Sequence, residues 1–149
     1  MKILNSEYGM DCLMRLNENQ RIVFIRVLVR LATVDGQLDA NEKDFIKELA
    51  KIYNISKERI AEVFAFSSDE EIVNSVKIIE DRPVALALIR EMCVLAHADN
   101  NLSSTEMLLI GRIGQAMNIE LEKIEQISQW VIAKEVLEAE RRLIFEEVV

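Results

Sequence analysis

The sequence predicts an all-α fold, and three observations carry that prediction. Half of its 149 residues are hydrophobic and 30% are charged, but only four are glycine and one is proline, too few turn formers for a β-sandwich or barrel. Apolar residues recur at three- and four-residue spacing instead of alternating, the period of amphipathic helices. Ser or Asp followed three residues later by Glu stands repeatedly before an apolar run, which is the signature of a helix start. The length fits a single domain over residues 1–149 that buries a core without disulfide or metal staples. Seven to eight helices and no sheet are expected.

Residues 19–34, "NQRIVFIRVLVRLATV", surround Arg26 and Arg30 with Ile, Val, Phe and Leu, the pattern of a mostly buried central helix. The next helix takes Asp39 as N-cap, turns Phe45, Ile46, Leu49, Ile52 and Tyr53 to one face, and ends near Asn54. Ser56 is placed to cap a short helix holding Ile60, Val63 and Phe64. "SDEE" at 68–71 reads as a capping box opening a helix that runs through Ile79. Pro83 suits the first turn of a second strongly apolar helix, "VALALIREMCVLAHA". "SSTE" at 103–106 caps a helix carrying Leu109, Ile110, Ile113 and Met117. An amphipathic segment from about Leu121 to Val148 closes the chain, with Val136, Leu137, Leu143, Ile144 and Phe145 available for burial or for a partner.

The chain also matches itself. Shifted by about 64 residues, Leu31, Ala32, Asp35, Leu38, Glu42 and Ile46 fall on the identical Leu95, Ala96, Asp99, Leu102, Glu106 and Ile110, and Asn54 and Ile55 on Asn118 and Ile119. This points to internal duplication, with repeat one at about 19–66 and repeat two at about 83–130, packed about a pseudo-two-fold axis.

The repeated turns, "ATVDGQLDANE" and "AHADNNLSSTE", pose an electrostatic problem. Asp35 and Asp99 each follow an apolar helix at its C-terminal end, where the macrodipole disfavours a carboxylate. Two answers stand. In the first, Gly36 or Asn100 ends one helix, Asp39…Glu42 and Ser103…Glu106 are capping boxes of the next, and Asp35 and Asp99 accept hydrogen bonds from its opening N–H groups. In the second, Asp-Gly, an aliphatic residue two positions on and Glu four further reproduce the latter half of a calcium-binding EF-hand loop. The earlier ligand positions hold Leu31 and Thr33, or Leu95 and His97, so neither turn is an EF-hand. If the turns converge, Asp35, Glu42, Asp99 and Glu106 form a four-carboxylate site suited to a divalent cation, Ca2+, Mg2+ or Mn2+. If they lie apart, each holds a cation no more tightly than about 10⁻⁴ to 10⁻³ M.

Other classes of function find little support. A net charge of −8 repels nucleic acid and anionic lipid, and the apolar segments 22–34 and 83–98 are broken by charges, so no integral membrane segment is expected. Residues 1–15 hold no signal-peptide apolar stretch, and Cys12 and Cys93 have no metal spacing, which fits reduced thiols in the cytoplasm. His97, four residues after Cys93, allows a Cys–His pair, but no oxyanion arrangement accompanies it, and no phosphate loop, dinucleotide fingerprint or zinc spacing occurs. No enzyme is expected.

"LATVDGQLDANEKDFIKELAKIYNIS" and "LAHADNNLSSTEMLLIGRIGQAMNIE" resemble the two halves of the TerB-like domain, found in the tellurite-resistance protein TerB and before the J-domain of some DnaJ-like proteins. The resemblance covers about residues 19–130. It implies an all-α duplicated bundle whose acidic positions, here Asp35, Glu42, Asp99 and Glu106, chelate metal. It also implies a cytoplasmic stress-response or membrane-associated scaffold with a protein partner and no catalysis. Asn100 stands where the family usually has Gly, and no HPD tripeptide of a J-domain is present. A metal-free interaction scaffold is the alternative.

Overall fold

A computed structural model describes residues 15–34, 36, 38–65, 67–97 and 103–146, with only the backbone described for Glu42 and Phe45. Among these residues there are seven α-helices and no strand. They are α1 (Glu18–Ala32), α2 (Ala40–Ile52), α3 (Ile60–Phe64), α4 (Asp69–Ser75), α5 (Arg82–His97), α6 (Ser104–Ala116) and α7 (Leu121–Phe145). Short 3-10 turns at Lys57–Arg59 and Val76–Ile78 lead into α3 and out of α4. The expected all-α class is the observed one.

The helix ends follow side-chain chemistry. Capping boxes at Asn17/Gln20, Ser68/Glu71 and Ser103/Glu106 satisfy the first free N–H groups of α1, α4 and α6. Thr33 closes α1, its Oγ1 donating to the Val29 and Arg30 carbonyls at 3.0 and 3.1 Å. Helices α2 and α6 end alike: Asn54 and Asn118 take left-handed φ of 57° and 62°. Behind them Ile55 N–H reaches the Ala50 carbonyl at 2.9 Å, and Ile119 N–H the Gly114 carbonyl at 3.0 Å.

Helices α1 and α5 form the centre, with Phe24, Ile25, Leu28, Leu88, Ile89 and Met92 fully buried between and around them. Burying a side chain of this size contributes about 2–3 kcal/mol each. The two helices start together: Gln20 at the head of α1 donates to the Ile78 carbonyl at 3.0 Å, and Arg15 stands 3.8 Å from Asp81. The segment before α5 runs antiparallel to α1, since Asp69 at the start of α4 pairs with Arg30 near the end of α1 at 2.8 Å. The two central helices therefore begin beside one another.

Two expectations need correction, and one open alternative is decided. The helix foreseen over 68–79 is α4 followed by a 3-10 turn. Ser56 makes no side-chain cap; its N–H and Oγ both turn to the Glu18 carboxylate instead. Most of the closing apolar stripe is not buried: Val136, Leu137, Leu143, Ile144 and Phe145 are 52–85% exposed. Length explains this, because a 25-residue helix spans about 37 Å while the 15 residues of α1 span about 22 Å, so α7 outruns the core it packs on.

Candidate functional site

The acidic turns occupy the α1–α2 and α5–α6 connections. Asp35 and Asp99 lie outside the described residues, as does the side chain of Glu42, whose backbone is in the first turn of α2. Glu106 is described in full. Its Oε1 accepts from Ser103 Oγ at 3.0 Å and from Ser103 N–H at 3.3 Å, while Ser103 Oγ accepts from Glu106 N–H at 3.1 Å. The carboxylate is thus held in one place by the capping box foreseen from "SSTE". It offers one oxygen-bearing group to a hard cation. Among the described residues, no group of three or more His, Cys, Asp or Glu side chains stands ready to hold a metal.

The two connections have opposite electrical surroundings. At the second, His97 ends α5 with its Nε2 3.3 Å from Ser128 Oγ. Burial lowers the His97 pKa, while Glu135 and Glu106 act on it to raise it, so carboxylates of α6 and α7 face the end of α5. At the first, Gly36 and Leu38 form part of the wall of a cavity of about 680 Å³. Its described lining carries Arg26, Arg30, Lys43 and Lys47, together with Val29, Phe64 and Ser67, and no acidic side chain. Sequence reasoning passed over this basic cluster. The available signal was two Lys/Arg pairs at i, i+4 on consecutive helices, which places each pair on one helical face.

Two buried groups complete the picture. Cys93 is buried, and desolvation pushes its thiol up to about 11 against a smaller opposing hydrogen bond with Ser128, the condition of an unreactive thiol. Glu91 is 1% exposed, and burial raises it to about 7 despite Arg90, whose guanidinium lies 2.8 Å away. Its charge, after burial itself, also raises the Tyr53 hydroxyl.

The arrangement defines an all-α helical protein built on a buried central pair. Residues 7–65 match the family described as tellurite resistance protein TerB, so the chain is TerB-like over this stretch, which is less than half its length. No curated protein and no solved structure matches it. No helix among the described residues is long and apolar enough to cross a membrane.

Proposed function

We propose that the protein is a non-enzymatic, TerB-like binding module that holds a divalent cation, Ca2+, Mg2+ or Mn2+, at its acidic turns. Its setting would be tellurite resistance or a wider stress response, or a scaffold peripheral to a membrane, in the cytoplasm. What supports convergence of the turns is the common origin of α1 and α5, which start together at Gln20–Ile78 and Arg15–Asp81. The pairing of Arg112, midway along α6, with Glu70, beside the Asp69 that holds Arg30, further favours it. Internal duplication about a pseudo-two-fold axis belongs to this reading. Of the two turns, the second has the better field for a cation, with Glu106 held in place and Glu135 nearby. The four cations beside Gly36 oppose one at the first.

The test is the melting temperature of the wild type and of Asp35→Asn/Asp99→Asn with and without each cation. These substitutions keep an acceptor and the turn preference but remove the charge. A cation at a hundred times its dissociation constant adds about 2.7 kcal/mol. A rise in the wild type that the double variant abolishes supports the site, and no response in either protein refutes it.

A metal-free scaffold that recruits a protein partner is the second reading. It is favoured by the exposed apolar end of α7 and by the capping box, which already gives Glu106 a structural role.

A further inference from the structure

We infer that the cavity between α1, α2 and the end of α3 is a binding site for a small organic anion, a carboxylate or phosphate head carried on an apolar body. Its size, about 680 Å³, is that of a small-molecule pocket. The chain as a whole carries a net charge of −8, so four cationic side chains converging on one concavity run against the general field.

The four are not equally committed. Arg30 gives its Nε to Asp69 at 2.8 Å, which leaves the rest of its guanidinium for the cavity. Lys43 and Lys47 are exposed and enter no ion pair among the described residues. Arg26 carries the second, independent observation. One of its terminal nitrogens donates to Ser67 Oγ, but its Nε lies buried with no acceptor. A buried guanidinium N–H without an acceptor costs stability and shows that the protein leaves this charge incompletely satisfied, so Arg26, which lines the cavity, keeps unspent positive charge for an anion there. The nearby Glu62 feels the Arg26 charge but is bound to Arg59 at 2.8 Å. Beside the cations, Val29, Leu38 and Phe64 add apolar lining, which is why an organic anion fits better than a bare inorganic one.

Position by position, the second half of the chain lacks this chemistry. Sixty-four residues on, Arg30, Lys43 and Lys47 are replaced by Val94, Met107 and Gly111. The one retained cation, Arg90, turns both Nε and a terminal nitrogen onto Glu91 at 3.1 and 2.8 Å. The basic cavity is a property of one half, as a specific site would be, and not of the helical frame.

The test is an amide-resonance titration of the full chain with phenyl phosphate and with benzoate, using benzyl alcohol as the uncharged control. The expected result is shifts clustered at Val29, Arg30, Thr33, Lys43, Lys47 and Ser67 with at least one anion and none with the alcohol. Lys43→Gln/Lys47→Gln, at two exposed positions, should weaken binding by about tenfold or more without moving the melting temperature. Tighter binding of phenyl phosphate assigns a phosphate head, and tighter binding of benzoate a carboxylate. Shifts that are absent, that lie elsewhere, or that the alcohol reproduces would overturn the inference. So would affinity unchanged in the double variant, and the wild-type shift map decides the matter even if that variant folds poorly.

Discussion

The helix–turn–helix regions at 18–65 and 82–128 share their local frame and differ in what they bury. Both have a strongly apolar first helix, a turn, and a second helix closed by a left-handed Asn, at Asn54 and Asn118. Ile46 and Ile110, 64 residues apart, are both fully buried. The differences are single residues with large physical consequences. Ala50 in the first region corresponds, 64 residues on, to Gly114 in the second, where a Cβ would come closer to the Ile124 side chain than real Cβ atoms do. Val27, buried without charge, corresponds in position to Glu91, buried with a carboxylate. The first region thus stays open around a basic cavity, while α7 presses closely on the second. A common backbone frame leaves the electrostatics of each half free to be set by a handful of side chains.

This comparison can be broken in several ways, beginning with the largest effect. Ile46→Ala and Ile110→Ala should each cost about 3 kcal/mol in denaturant unfolding, because equivalent burial predicts equivalent cavities. A difference well beyond the usual spread between the two would show that the regions do not contribute alike to the core. Next comes close packing at Gly114. Gly114→Val should cost about 2 kcal/mol by forcing Ile124 aside, whereas Ala50→Gly should cost about 1–2 kcal/mol through backbone freedom and the loss of a fully buried methyl.

A pH effect of similar or smaller size distinguishes Glu91 from Val27. Its folded-state pKa of about 7 lies above its ordinary 4.5, so the folded protein holds this proton more tightly than the unfolded chain. Stability should therefore rise as pH falls from about 7 toward 4.5, with a slope of at most about 1.4 kcal/mol per pH unit from this group. Glu91→Gln should flatten that slope in thermal melts. Glu18, Glu62 and Glu120 have the opposite sign. A backbone hydrogen bond from Ser56 lowers the first, and hydrogen bonds from Arg59 and Arg82 lower the others, so what they contribute is lost below pH 4.5.

Ser103→Ala should cost about 1 kcal/mol through loss of its cap, and hydrogen exchange should report fraying confined to the start of α6. The smallest effect belongs to the end of α7. Leu143→Ser should change stability by less than about 0.5 kcal/mol, since the side chain is 85% exposed. A larger loss would mean that this stripe is covered in solution.

Much of the architecture was legible because it rests on local rules. "SDEE" and "SSTE" foretold capping boxes to the residue, Asn54 and Asn118 fell at helix ends, and the apolar runs around Phe24 and Leu88 became the buried pair. The fate of Ser56 was not legible, since the Glu18 carboxylate that captures it lies 38 residues away in sequence. Nor was exposure along α7, because an amphipathic pattern records a face and not whether anything lies against it. Of the four acidic positions named for the turns, the geometry speaks for Glu106 alone, and there it supports the capping role.

By itself, then, the sequence determined most helices and the capping boxes at Ser68 and Ser103, which depend on neighbours three or four residues apart, and the self-match and TerB-like resemblance, which are properties of the residue string alone. Only the tertiary structure decided that Arg26, Arg30, Lys43 and Lys47 share one cavity, that Glu91 is buried beside Arg90, and that α7 outruns its support. Burial and charge are fixed by what arrives from distant parts of the chain. Their energies depend on the dielectric and the partners that packing supplies, which no local pattern contains.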